Sequence, residues 1–226
     1  MLPLLLVNVD HKIHPVLPYS NLNEDVSCYK NPNIPVKKIK LKADFDPNLK
    51  VQTNGPSTKT SPKVEELKSG SKGDWNKIAN NPKPNTVYKF ENDYTYKTDV
   101  HGRVSSVQAD LQLGKNDRNT YQQKVSGRDD RASSDHGGHL IASMFKGPGE
   151  GINIVPMDKN FNGSGGEWYA LERTWKKALE SNQTVKVIIK PIYSGNSRRP
   201  TSFSVEQQIN GINFKPQILK NTATGK

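Results

Sequence analysis

The chain has 226 residues, with 33 Lys+Arg against 22 Asp+Glu for a net charge of +11, and only 32% of it is apolar. No run of about 20 apolar residues is present, which excludes a membrane-spanning helix. Cys28 is the single cysteine, which excludes a disulfide scaffold. With a mean hydropathy of -0.79 and a pI near 9.6, the expectation is one basic domain behind an arm, whose surface attracts polyanions, nucleic acid first among them.

In chain order, Met1-Leu2-Pro3-Leu4-Leu5-Leu6-Val7 is apolar but short. It lacks a basic flank, and Asn8 and Asp10 end it, so no signal peptide is expected. Residues 30–85 read as a tether punctuated by Pro32, Pro35, Pro47, Pro56, Pro62, Pro82 and Pro84. Such a stretch buries too little apolar surface to offset its ordering entropy. Val36–Leu41 is compatible with one strand, and residues 63–79 with a weak helix around Val64, Leu67, Trp75 and Ile78. The charge divides as +4 over residues 1–80 and +7 over residues 81–226, so composition rather than charge marks the boundary. We expect an arm or linker over 1–80 and a folded domain over 81–226.

From Thr86 the patterning sharpens. Val87, Tyr88, Phe90, Tyr94 and Tyr96 lead to a turn at Asp99-Val100-His101-Gly102, and Val104, Val107, Ala109, Leu111 and Leu113 continue beyond it. Together these predict a hairpin. A short helix is expected around Tyr121. Glu167–Glu180 is the clearest helix: Trp168, Leu171, Trp175 and Leu179 make one apolar face, with Glu167 early and Lys176 and Lys177 late, as the helix dipole favours. Strands follow at Val185–Tyr193 and Thr201–Gln208. Asn210-Gly211 then signals a type I′ turn into a last strand near Phe214. Strand pair, loop, helix and three more strands make an α+β pattern.

Four polar residues between 135 and 172 carry a chemical theme. His139 closes Asp135-His136-Gly137-Gly138-His139, Asn153 lies in Asn153-Ile154-Val155-Pro156, Asn162 follows Phe161, and Glu172 lies on the amphipathic helix. Phosphodiester hydrolysis needs a base that works near neutral pH, for which His is the usual residue. It also needs charge stabilisation at phosphorus, commonly from a divalent cation. Mg²⁺ takes oxygen ligands and keeps several waters, which suits an amide oxygen plus a water-mediated carboxylate. The glycines beside His139 are expected to let a phosphate backbone approach.

These segments resemble the DNA/RNA non-specific endonucleases, which have a ββα-metal (His-Me finger) core. The likeness covers about residues 80–216 and includes Gly166-Glu167-Trp168-Tyr169-Ala170-Leu171-Glu172. Arg199-Pro200-Thr201-Ser202-Phe203 fits the branch found as C-terminal domains of secreted bacterial toxins. The resemblance implies an antiparallel sheet around that core, preceded by a largely irregular arm. It implies His139 as general base, Asn162 as direct ligand of one Mg²⁺ or Mn²⁺, and Glu172 as holder of the cation's water shell. Asn153 would act beside the site, orienting His139 or the phosphate. Lys176 and Arg173 would bind flanking phosphates, as would Arg103, Arg118, Arg128 and Arg131. Better-known members read Asp-Arg-Gly-His; here that Arg is absent from its slot, and Arg103, Arg118, Arg128 and Arg131 are the candidates to replace its charge.

The implied activity is cation-dependent endonucleolytic cleavage of DNA, with RNA left open, giving 5′-phosphate ends. Phosphate contacts carry no base information, so sequence specificity should be low. The toxin-like branch implies secretion or delivery into a competitor's cytoplasm and an acidic immunity protein as partner, with no membrane involvement. The alternatives are a free secreted scavenging nuclease, a non-catalytic basic nucleic-acid-binding module, and a domain that has lost activity.

Overall fold

The computed structural model describes residues 63–223, together with the backbone of two short strands, β1 (Asn8–Val9) and β2 (Lys12–Ile13), which pair antiparallel. The chain forms two compact units, Met1–Pro56 and Ser57–Lys226. The strand expected at Val36–Leu41, the apolar start and Cys28 lie outside the described residues.

The second unit is built on an eight-stranded sheet. Its strands are β3 (Lys63–Leu67), β4 (Thr86–Phe90), β5 (Thr95–Thr98), β6 (Val104–Asp110), β9 (Val185–Tyr193), β10 (Pro200–Ile209), β11 (Ile212–Asn213) and β12 (Gln217–Lys220). Their order is β11-β10-β9-β6-β5-β4-β3, with β12 also on β10. All pairings are antiparallel except β3 with β4. A parallel pair needs a crossover, and residues 68–85, with the short helix α1 (Lys77–Asn80), supply it. The remaining elements are α2 (Thr120–Val125), the antiparallel pair β7 (Asp135–His139) and β8 (Ile154–Asp158), α3 (Lys159–Asn162) and α4 (Glu167–Glu180). This is the expected α+β class, with β7, β8 and α4 as its ββα core.

Two readings of the sequence change. Residues 63–79 do not form one helix, and residues 63–80 do not stand apart from the domain. Leu67 enters the core, and the buried carboxylate of Glu150 accepts hydrogen bonds from Gly70 N (2.6 Å), Asn76 N (3.1 Å) and Ser69 Oγ (3.2 Å). The polar composition that suggests a tether is here satisfied by a buried acid 80 residues away in sequence. Thr86–Tyr96 is likewise not one hairpin arm. It breaks at a turn where Asp93 takes φ 62°, giving β4 and β5. The turn at 99–102 forms as expected, closed by Gly102 N donating to Asp99 O (3.0 Å).

Alternation in β9 and β10 points Val185, Val187, Ile189, Phe203 and Val205 inward, and α4 covers that face. Helix α4 matches its expected bounds because its apolar residues fall on one side; Trp168, Leu171, Trp175 and Ala178 are all buried. It ends where Asn182 turns left-handed at φ 57°. Trp168 packs at 5.0 Å from the Phe203 ring, Phe161 stacks on Phe203 at 5.7 Å, and Trp175 Nε1 donates to Gln207 Oε1 (2.6 Å). Both tryptophans are thus core anchors, as expected. Trp168→Ala should cost about 3–5 kcal/mol, readable by urea denaturation, because a large buried ring leaves a cavity this rigid sheet cannot close. The Asn210-Gly211 turn has both residues at positive φ (49° and 81°), and Ile209 pairs with Ile212 across it.

Candidate active site

His139 is the last residue of β7, whose burial runs Asp135 in, His136 out, then Gly137, Gly138 and His139 in. Its carbonyl accepts the indole N–H of Trp168 (3.2 Å), which ties the start of α4 to the end of β7. Glu172 lies one helical turn after Trp168, so the same face of α4 that carries the anchor carries the carboxylate. Asn162 ends α3, which Asp158 caps by accepting from Asn160 N (2.8 Å). The three side chains, with Arg118, Ala142, Ser143, Met144 and Tyr169, line one cleft of about 270 Å³.

Arg118 reaches this cleft through the irregular loop after β6. Gly114 N and Asn116 N donate to the carbonyls of Met144 and Ser143 (both 3.0 Å), and Asn119 caps α2. These bonds fasten the loop to the segment that follows His139 and leave Arg118 between the two anchor points. Of the four candidate arginines, Arg118 is the one lining the cleft.

The others have different work. Arg103 is held by Asp99 (2.7 Å) and by the carbonyls of Gly195 and Ser197, with its guanidinium 4.4 Å above the Tyr193 ring. Arg131 straps α2 to β7 through the carbonyls of Gln123 (2.8 Å) and Asp135 (2.6 Å). Arg128 lines a separate cavity. Lys176 pairs with Glu180 (2.8 Å) outside the cleft, and Arg173, which does not line it, lies 5.8 Å from the ring of Tyr169, which does.

Asn153 lies outside the cleft lining, and of its two expected roles, orienting His139 or the phosphate, its contacts fit only the first. It is fully buried, and its side chain makes four hydrogen bonds: it accepts from Tyr96 Oη (3.0 Å) and Ile141 N (2.9 Å), and donates to Ile141 O and Pro148 O (both 2.8 Å). An amide so engaged has no capacity left for phosphate. It fixes the backbone just after His139 and touches no reacting group. The glycines also serve packing. A Cβ at Gly137 would meet the α2 backbone at Gln123 (2.3 Å). A Cβ at Gly138 would meet Met157 Sδ (2.3 Å) and crowd Asn162 Oδ1 (3.1 Å). They bring the strand onto α2 and beside Asn162, rather than admitting a phosphate.

Sequence reasoning did not find the ties that hold the hairpin. Asp135, whose side chain is fully buried, receives Arg199 through both oxygens (2.7 and 2.8 Å). Buried Asn221 donates to Pro156 O and Pro200 O and accepts from Asp158 N. Tyr94 Oη donates to Phe145 O (2.7 Å), beneath the loop behind the cleft. Tyr94 and Tyr96 read as packing residues in the sequence, and only the polar ends of their rings mark this second role.

Burial pushes the His139 imidazole down to about 4, and the Arg118 charge adds to the shift. Its Nε2 is buried without a hydrogen-bond partner. Burial pushes Glu172 up to about 7, opposed by the Trp168 N–H and by Arg118. At neutral pH the imidazole is therefore neutral and able to accept a proton. In the absence of a cation the two shifts bear oppositely on stability. The contribution of His139 is complete above pH 6.5 and lost as pH falls toward 4. That of Glu172 is complete below pH 4.5 and lost as pH rises through 7. In EDTA, His139→Gln should therefore lose stability on going from pH 4.5 to 7, and Glu172→Gln should gain it from pH 4 to 6.5. Each change should approach roughly 3 kcal/mol by chemical denaturation.

The donors fit a hydrated hard cation. Asn162 and Glu172 offer an amide and a carboxylate oxygen at one cleft. Among the described residues no cluster of three His, Cys, Asp or Glu forms a closed cage, so water would complete the shell, as Mg²⁺ prefers.

A profile of the family described as DNA/RNA non-specific endonuclease matches residues 84–211. The type VII secretion system protein EssD of Staphylococcus aureus (strain USA300) is 43% identical over 142 residues, 61% of this chain. That stretch is 23% of EssD's own length, so the chain corresponds to under a quarter of the relative. Among solved structures, NucA from Streptococcus agalactiae with magnesium bound aligns at 18% identity and TM-score 0.43, covering 62% of this chain and 78% of that one. Sda1 nuclease with a bound zinc ion aligns at 14% identity and TM-score 0.46, covering 58% and 76%.

Proposed function

The chain belongs to the DNA/RNA non-specific endonuclease family, and on that premise we propose that it hydrolyses the phosphodiester bonds of DNA, with RNA as an alternative substrate, in a divalent-cation-dependent reaction of low sequence specificity. The observation that carries this reading is a buried His139 Nε2 without a partner, in a cleft shared with Arg118, Asn162 and Glu172. His139 takes the proton of the attacking water, since burial keeps it neutral at working pH. Arg118 supplies the positive charge missing beside the histidine and stabilises the extra negative charge at phosphorus. Asn162 and Glu172 would hold the cation. When bound, Mg²⁺ or Mn²⁺ would neutralise phosphate charge and help the leaving oxygen depart. Arg173, beside the cleft residue Tyr169, contacts a flanking phosphate. Lys176 can join it on leaving its exposed ion pair with Glu180, which is worth little in water.

The test is nicking of supercoiled plasmid, and of a matched RNA, with Mg²⁺ or Mn²⁺ and with excess EDTA. Chelation should abolish cleavage, and full activity in EDTA would remove the cation from the mechanism. Plasmid left intact under every cation would favour a non-catalytic binding module.

The likeness to part of EssD, a type VII secretion system protein, supports a setting in which this unit is secreted or delivered into a rival cell as a toxin. No helix among the described residues is long and apolar enough to cross a membrane. A net charge of +11 suits inhibition by an acidic immunity protein that covers the cleft. Expression in a host cytoplasm should be toxic for the wild type and tolerated for His139→Ala; equal tolerance of both would argue against the toxin setting.

A further inference from the structure

Outside the cleft that holds His139 lies a second cavity of about 320 Å³, formed between the β5–β6 turn, α2, the bend at 127–128 and the loop ending at Arg198. It shares no lining residue with the cleft. Its wall holds Arg103, Arg128, Arg198 and His101, and no carboxylate lines it. A pocket of this size with a few convergent polar groups is the usual form of a small-ligand site.

The arginines divide into a fixed wall and two free heads. Arg103 is committed to Asp99 and to two carbonyls, and so joins the β5–β6 turn to the loop at 195–197. Arg128 and Arg198 have no side-chain hydrogen bond or ion pair among the described residues, yet their backbones are held. Arg198 N donates to Asp130 Oδ2 (2.8 Å), and Asp130 N to Gly127 O (3.0 Å). Gly127 and Arg128 stand in succession at φ 78° and 50°. A side-chain-bearing residue is rarely found there, and a bulky one is kept only by its surroundings. Gly127 fits because a Cβ would strike the Pro156 ring at 2.5 Å. Of the acids beside this region, Asp99 is engaged by Arg103 and Asp130 by the Arg198 amide, while Asp129, next to Arg128, is exposed and does not line the cavity. Two arginines on fixed backbones that line a cavity without carboxylates suit a phosphate, which guanidinium groups bind well.

We propose that this cavity is a phosphate-binding exosite for a nucleotide, supplied by a strand segment of the nucleic acid outside the scissile stretch; the proposal rests on the reading of the unit as a nuclease. It would lengthen the substrate footprint beyond what His139 and its neighbours touch. It would favour long strands without adding sequence specificity, since phosphate contacts read no bases.

The full chain is compared with Arg128→Gln/Arg198→Gln, whose melting curve should overlay the wild type because both side chains are exposed. In EDTA, the anisotropy of a long labelled single-stranded oligonucleotide should report binding about tenfold weaker. The slope of log K against log salt should fall by about 1.4 for two lost contacts to a single strand. Cation-dependent turnover of bis(p-nitrophenyl) phosphate, which reaches only the cleft, should be unchanged. Arg128→Lys/Arg198→Lys should keep most of the binding. Binding of dAMP to the wild type and not to the Gln variant, with equal oligonucleotide binding, would identify a free nucleotide as the source of the phosphate. Equal binding of both ligands by wild type and variant overturns the site, as does a parallel loss of bis(p-nitrophenyl) phosphate turnover. If the wild type cleaves nothing with any cation, the nuclease reading fails while the EDTA measurements still decide the exosite.

Discussion

His139→Ala should lower cation-dependent plasmid nicking by about 10²–10⁴-fold, the usual contribution of a general base, while the unit stays folded. The fold is spared because the tie from Trp168 runs to the His139 carbonyl, which alanine keeps. The imidazole Nε2 has no hydrogen bond to lose. Burying an unpartnered imidazole is itself unfavourable, so the variant should also resist acid better between pH 6.5 and 4, where the wild-type ring must stay neutral against its solution preference. Nicking and circular dichroism on the same preparation check both halves. Undiminished cleavage by a folded variant would remove His139 from the mechanism.

Arg199→Ala should be the most damaging change to stability away from the apolar core. It leaves the fully buried side chain of Asp135 without its bidentate partner. Stranding a buried charge costs about 3–5 kcal/mol, a fall in Tm on the order of 10 °C for a unit of this size. Asp135→Asn should cost less. The Arg199 side chain is 23% exposed and can be hydrated, and an amide oxygen can still accept from Ala132 N. Equal losses for the two variants in thermal melts would show that the pair acts by packing, not charge. The position of this pair explains its weight, for it bolts the strand that ends in His139 to β10.

Several elements were legible in the sequence for a local reason. Helix α4 and strand β9 match their expected bounds because burial on one face imposes a period that the residues record directly. The Asn210-Gly211 turn was legible because few residues accept two successive positive φ values. His139, Asn162 and Glu172 stood out because short segments with fixed neighbours carry them, and the fold brings all three to one cleft.

What the sequence by itself determined is therefore the α+β class, the amphipathic helix, the family and the three polar residues at the candidate site. These are matters of local pattern, in which a residue's neighbours in the chain decide its role. Only the tertiary structure decided which arginine joins them. Arg103, Arg118, Arg128 and Arg131 are equivalent as basic loop residues, and they separate when Asp99, the His139 cleft, the second cavity or the Gln123 carbonyl meets each of them in space. It also decided that Asn153 is a buried strut, that residues 63–80 belong to the sheet, and that Asp135 answers to Arg199. Each of these turns on a polar group finding its partner dozens of residues away. A buried charge or amide must be paired, but the chain does not record locally where its partner will come from.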